Sequence, residues 1–475
     1  MKVKYFSLLL IFSVFSTVIS AQITRKQADS IVLEYIKKEV SNYHLLYSNE
    51  SIVANENGVT TISTWHKESV SINHPCFIYF IDESPDANWE HPCRYVFVNT
   101  KNGQLSEKKA TVPPQKLEEW KLLTLLPDVP KGAKFDFSKT TPQIRSGSNP
   151  QNCYAVIING GMDCYNNWVR YWNNCSAMYS ALIHKYGYLK NNIYVLMSDG
   201  TDPEIDRHHD FFGIYDSSPL DLDNDGLPDI QYAATRDNIT MVFNTLSTIL
   251  KPEDNLFIFT TGHGSIYPLM QETTLMLWLE EMTASEFASE VDKVRAGTIN
   301  IVMSQCHSGG FIPHLEAQGR TIATACLALE SSWSMTSQIY DEFIFYWISA
   351  VLGRDPYLGN TVNADSNNDG KISMKEAFDY AKARDTKQET PQYSSTAPQL
   401  GEYLTLLGGT MPCSTPNYNF TTNPVTTNTT VNNCGNINVQ NVQVKNGAKL
   451  ILDAGESTKI PSGFKVDVGS TLKIR

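Results

Sequence analysis

Between residues 153 and 410, short apolar runs alternate with stretches of helical periodicity, and this alternation constrains the chain more than any other feature. Tyr154–Asn159 (YAVIIN) stops at Gly160-Gly161, and Ile193–Ser198 (IYVLMS) stops at Asp199-Gly200. Asn255–Gly264 (NLFIFTTGHG) ends on a histidine between glycines, and Ile299–Phe311 (INIVMSQCHSGGF) ends on a cysteine ahead of Ser308-Gly309-Gly310. Thr321–Cys326 is a further short strand pattern. Trp168–Tyr186, Thr235–Leu250, Ala284–Arg295 and Tyr340–Leu352 carry helical patterns. Continuous apolar runs fit strands buried on both faces, and helices between them predict a mainly parallel, doubly wound α/β sheet. Such sheets gather functional groups at the carboxyl ends of their strands, where Asn159, Asp199, His263 and Cys306 all fall.

Cys306 and His263 are therefore candidates for one catalytic site. A thiol nucleophile needs a base or ion-pair partner and access to substrate. His263 supplies the partner if its strand neighbours that of Cys306, and the glycine-rich turns supply the access. The backbone amides of Gly264 and Cys306 are candidates for an oxyanion hole, where each donor is worth roughly 3 kcal/mol. His307 shares the turn of Cys306 and reads as a neighbour. His208-His209-Asp210 reads as a solvated loop, since adjacent histidines point apart. No HExxH, Walker loop or dinucleotide fingerprint occurs.

NLFIFTTGHG followed by INIVMSQCHSGG resembles the legumain-like peptidases of the caspase-like clan. The resemblance runs over residues 153–352 and includes YAVIINGG, WVRYWNNCSAMY, ESSWS and YDEFIFYW. It implies a caspase-like fold for residues 151–410, with Cys306 as nucleophile and His263 as general acid/base. It also implies a pocket of Arg170, Ser332 and Asp341 for the residue before the scissile bond, and cleavage after Asn or Asp. Ser304 stands where legumains usually carry Glu, so it counts with the pocket and makes it less acidic. The same acyl-enzyme would serve a transpeptidase or ligase. A calcium-dependent surface adhesin with a peptidase-like fold is the reading from a different class.

The flanking segments set the context. Lys2 and Lys4 precede the apolar stretch Tyr5–Phe15 and the small residues Ser20-Ala21, the pattern of a signal peptide over 1–21 and of a secreted, periplasmic or cell-surface protein. No later stretch is long and apolar enough to span a bilayer. With 38 basic against 50 acidic residues and no basic block, protein or peptide substrates fit better than nucleic acid. Residues 22–112 form an α+β module that resembles the inhibitory pro-segments of secreted peptidases, which would make the chain a zymogen. A plain structural domain is the alternative. The proline-rich stretch 113–150 reads as a linker and an activation site. The Thr- and Asn-rich stretch 411–433 reads as a second linker. Residues 434–475 read as a small, stacked all-β module, with cell-surface or glycan contact as one expectation and a folding cap as another.

Calcium is the one cofactor expected. Asp365–Glu376 (DSNNDGKISMKE) has the spacing of an EF-hand loop. Asp365, Asn367, Asp369, Ser373 and Glu376 offer side-chain oxygens, Lys371 offers its carbonyl, and Gly370 makes the bend. Asp221, Asp223, Asp225 and Asp229 form a shorter relative that lacks a glutamate at the twelfth place, where Tyr232 stands. Both loops are expected to be structural. The nine cysteines suggest disulfides in an oxidising compartment. Cys76 with Cys93 and Cys413 with Cys434 are the plausible pairs, and Cys306 is the choice for the odd thiol.

Overall fold

The computed structural model describes residues 22–40, 44–50, 60–64, 69–88, 91–124, 150–208, 215–267, 272–395, 399–409, 417–433, 436–454 and 457–474. The signal-peptide stretch, the centre of the 113–150 segment, Cys413 and Cys434 lie outside these residues. The chain divides into two compact units, 1–409 and 410–475.

The first unit opens with helix α1 (Arg25–Glu39), started by a capping box between Thr24 and Gln27. Ala28, Val32 and Ile36 recur at i, i+4 and i+8 and are buried against Leu46, Tyr79, Ile81, Val96 and Val98. The sheet beneath contains β1 (Leu45–Asn49), β4 (Cys76–Asp82), β5 (Cys93–Asn99), β6 (Leu105–Ala110) and β7 (Lys121–Leu122), in the order β6-β5-β4-β1-β7. A hairpin of β2 (Thr60–Ser63) and β3 (Ser69–Ile72) supplies Ile62, Val70 and Ile72 to the core on the other face. Trp120 joins that core, and β7 pairs with β1, so the module runs past residue 112 into the stretch expected to be linker.

The expected Cys76–Cys93 disulfide is not formed. Cys76 pairs in register with Asn99, and Cys93 with Asp82, at opposite ends of the β4–β5 ladder. Six residues of strand separate them, roughly 20 Å. None of Cys76, Cys93, Cys153, Cys164, Cys175, Cys306 and Cys326 is in a disulfide, so that property does not single out Cys306.

A six-stranded sheet follows, built from β8 (Cys153–Asn159), β9 (Ile193–Met197), β12 (Asn255–Thr261), β16 (Thr298–Met303), β17 (Arg320–Thr324) and β18 (Gln392–Ser395), ordered β18-β17-β16-β12-β8-β9. All pairings are parallel except β17 with β18. Alternate strand residues face opposite layers. Ala155, Ile157, Phe257 and Phe259 pack with α2 (Val169–Ser180), α6 (Glu342–Leu352) and α7 (Met374–Lys382). Val156, Ile158, Leu256 and Ile258 pack with α3 (Arg236–Ile249) and α4 (Ala284–Val291). This is the expected doubly wound α/β architecture. A three-stranded sheet of β13 (Gly264–Tyr267), β14 (Glu272–Met276) and β15 (Glu281–Thr283) leaves the end of β12. No helix among the described residues is long and apolar enough to cross a membrane.

The second unit is a parallel β-solenoid. Asn417–Phe420, Asn436–Val439 and Thr458–Lys459 stack on one side, and Thr429–Asn433, Lys449–Ala454 and Thr471–Ile474 on another. Gln443–Val444 stacks on Lys465–Val466 on the third side. Phe420, Ile437, Val439, Leu450 and Leu452 fill its interior. The coil begins at Asn417, inside the stretch expected to be linker. Its strands are short and mostly polar on their outward faces, which gave that stretch the composition of a linker.

Candidate active site

The register of the two central strands sets the site. Thr260 of β12 lies beside Met303 of β16, and His263 and Cys306 each lie three residues further on. Parallel neighbours that leave the sheet at one level bring these two residues to the same edge. The contact between their turns is tight, because a Cβ on Gly264 would stand 2.1 Å from the Cys306 carbonyl oxygen. Gly262, at φ +99°, adopts a backbone that L side chains rarely take. Glycine on both sides of His263 thus has a steric cause. Cys306 and His263 are both fully buried. The Ser332 N–H points to the Cys306 sulfur at 3.3 Å.

The surroundings of His263 fix its tautomer. Nε2 lies 2.8 Å from the Asn166 carbonyl, which can only accept, so Nε2 carries the proton and Nδ1 is the basic atom. The Tyr171 hydroxyl lies 3.3 Å from Nδ1, and the two rings meet edge to face with centroids 5.1 Å apart. Burial, with a smaller opposing effect from Asn166, lowers the imidazole pKa from 6.5 to about 3. His263 is neutral in this state.

Arg170 and Asp341 lie together, and Asn88 links Ser332 to Arg170. Arg170 and Asp341 are both buried, and Nε lies 3.2 Å from the carboxylate. Asn174 and Thr261 bond the same carboxylate, at 2.8 and 3.3 Å. Burial raises the Asp341 pKa from 3.8 to about 6, against the pull of Arg170. Ser304 is placed differently from the expectation. Its hydroxyl donates to the Thr260 carbonyl at 3.2 Å and so joins the two central strands. His307 bonds the Ala328 carbonyl through Nδ1 at 3.0 Å, consistent with its reading as a neighbour.

A segment of the N-terminal module enters this pocket. Asn88 Oδ1 accepts from Arg170 Nε at 3.0 Å, and Asn88 Nδ2 donates to Ser332 Oγ at 2.9 Å. The Asn88 N–H donates to the Ser332 carbonyl at 2.8 Å, and Ala87 pairs antiparallel with Trp333. Asn88, Asn166, Tyr171 and Asn174 escaped the sequence reading. Tyr171 and Asn174 share a helical face with Arg170, a periodicity that could have exposed them. Asn166 acts through its backbone, which no residue type advertises, and Asn88 lies in a different module.

The acidic loops lie on other segments of the chain than His263 and Cys306. Asp221, Asp223 and Asp225 offer oxygens that all lie within 4.8 Å of one another. Lys190 Nζ already sits 3.1 Å from Asp223, 2.9 Å from Asp225 and 3.0 Å from Asp229. Asp229 also accepts from the Tyr179 hydroxyl at 2.7 Å and the Leu222 N–H at 2.8 Å. A cation here would compete with an ammonium group. In the Asp365–Glu376 loop, Asp365 accepts from the N–H groups of Asp369 and Gly370, at 3.1 and 2.7 Å, and Gly370 turns at φ +75°. Glu376 caps α7 through Ser373 and accepts from Ser366. The oxygen-only donor set and wrapped backbone fit a hard divalent cation, and both Glu376 oxygens already accept from Ser366, Asn367 and Ser373.

The sequence profile of the Peptidase C13 family matches residues 153–402. A search of curated proteins returned no match. Among solved structures, a protein from Geobacter sulfurreducens is 12% identical, with 52% of this chain and 94% of that one covered and a TM-score of 0.33. Caspase-1 from Spodoptera frugiperda is 9% identical, with 54% and 92% covered and a TM-score of 0.32.

Proposed function

This chain belongs to the peptidase C13 family, the legumain family of cysteine peptidases, and on that premise we propose that it is a secreted endopeptidase that cuts after Asn or Asp through a Cys306–His263 dyad. The observation that carries the reading is the equal level of His263 and Cys306 on adjacent parallel strands, beside the Arg170–Asp341–Ser332 pocket. Secretion rests on the pattern of residues 1–21.

His263 Nδ1 takes the thiol proton, and the Cys306 sulfur attacks the scissile carbonyl. The amides of Gly264 and Cys306 receive the negative charge that develops on its oxygen. The C–N bond breaks as His263 returns the proton to the leaving amine, which leaves a thioester on Cys306. Water, deprotonated by His263, then releases the acid. The acidic loops would hold calcium as a structural ion, and the solenoid would serve cell-surface or glycan contact.

A peptide library exposed to the chain and to its Cys306→Ala variant tests this reading. Cleavage after Asn or Asp by the unaltered chain alone is expected. Equal cleavage by both proteins removes the mechanism, and cleavage only after Lys or Arg removes the pocket assignment.

A further inference from the structure

We propose that the N-terminal module is a substrate-like inhibitor in cis, with Asn88 occupying the place of the residue before the scissile bond. The inference rests on the peptidase reading above and narrows it, because it says which side chain the pocket is built to read.

After a turn closed by the Ala87 N–H on the Ser84 carbonyl at 2.9 Å, residues 86–88 make main-chain contacts like those of a bound peptide. Asp86 accepts through its carbonyl from the Ser334 N–H at 2.6 Å, Ala87 pairs with Trp333, and the Asn88 N–H donates to the Ser332 carbonyl. This is antiparallel strand addition to the 332–334 edge, a mode in which the main chain gives affinity and side-chain pockets give selectivity. Upstream, Gln338 Nε2 donates to the Pro85 carbonyl at 3.1 Å, and Lys387 Nζ pairs with the Asp86 carboxylate at 3.1 Å. Asn88 itself is 3% exposed.

Both ends of the Asn88 amide are read. Its oxygen accepts from Arg170 and its NH2 group donates to Ser332 Oγ. The Asn88 amide also helps to lower the Asp341 pKa against the effect of burial, and the Asn88 backbone acts in the opposite sense on His263, raising its pKa. Ser332 ties the pseudo-substrate to the nucleophile, since its carbonyl accepts from the Asn88 N–H and its own N–H points to the Cys306 sulfur. An Asp in this place would put a carboxylate oxygen where the Asn88 NH2 group donates to Ser332 Oγ, and a Lys would bring a second cation against Arg170. The module core, formed by α1, its sheet and the β2–β3 hairpin, does not include Asn88. Release of this contact would therefore leave the module folded.

The test uses the full chain with Asn88→Lys and Asn88→Ala, and with Lys37→Ala on the exposed side of α1 as the control. Alkylation of Cys306 by iodoacetamide is followed by peptide mass mapping, and hydrolysis of a fluorogenic Asn peptide is followed in parallel. Thermal unfolding confirms that each variant is folded. Cys306 labelling more than tenfold faster in both Asn88 variants, with the control unchanged, is the expected result. Equal labelling rates in all four proteins overturn the inference. Faster labelling without peptide hydrolysis keeps the inhibitory contact and rejects the peptidase reading. Hydrolysis at one rate by every protein does the reverse.

Discussion

His263 and Cys306 stand at the same level on adjacent parallel strands, each three residues beyond the paired Thr260 and Met303. Their turns touch so closely that a Cβ on Gly264 would lie 2.1 Å from the Cys306 carbonyl oxygen. The site is thus a property of sheet register, with glycine required where the two turns meet.

Gly264→Ala should damage catalysis more than folding. The added methyl must push the Cys306 turn away, a kind of overpacking that costs about 1–3 kcal/mol. A loss of more than about tenfold in kcat is expected, since small misplacements near reacting atoms are costly, with the protein still folded by circular dichroism. Unchanged kcat would show that the close contact does not position the nucleophile.

Acid should destabilise the closed chain through His263. Its pKa is lowered from 6.5 to about 3, so its contribution to stability is present above 6.5 and is lost as pH falls toward 3. The His263→Ala variant lacks this dependence and keeps every other titrating group. In urea unfolding, the stability difference between the unaltered chain and the variant should move by roughly 3 kcal/mol against the unaltered chain from pH 7 to pH 4. A difference that stays constant would mean that His263 is hydrated and free to protonate.

Selectivity between Asn and Asp should follow Asp341. Its pKa is raised by burial to about 6, so acid neutralises it and leaves the Arg170 charge uncompensated. An Asp side chain then gains and a neutral Asn does not. The ratio of kcat/KM for Asp over Asn peptides is expected to rise between pH 7 and pH 5. A flat ratio would place Asp341 outside the selecting pocket.

Calcium should raise thermal stability through the Asp365–Glu376 loop. A ligand present at a hundredfold excess over its Kd stabilises by about 2.7 kcal/mol. Scans with calcium and with EDTA should differ for the unaltered chain, and Asp365→Ala should remove most of that difference. Equal Tm values with and without calcium in the unaltered chain would remove the cofactor.

The placement of His263 and Cys306 at one sheet edge could be read from sequence because buried parallel strands appear as apolar runs, and the residues that end them stand out. Arg170 needed the family resemblance, since a helical arginine has no signal of its own. The sequence marks the N-terminal module as a candidate pro-segment but does not mark Asn88, because Asn88 meets Arg170 and Ser332 only through tertiary docking across a long sequence separation. The Cys76–Cys93 expectation failed for a related reason. Nearness in sequence says nothing about register, and the β4–β5 ladder holds those thiols at its opposite ends. Ser304 was assigned to the pocket by position, but its hydroxyl serves the neighbouring strand.

The most direct test of the central claim is intact-mass analysis of the Asn88→Lys chain treated with a peptide electrophile ending in Asn. One adduct per chain, mapped to Cys306 and absent from Cys306→Ala, is expected, with slow reaction in the His263→Ala background. An adduct that maps to another cysteine, or that forms equally fast without His263, would contradict the account.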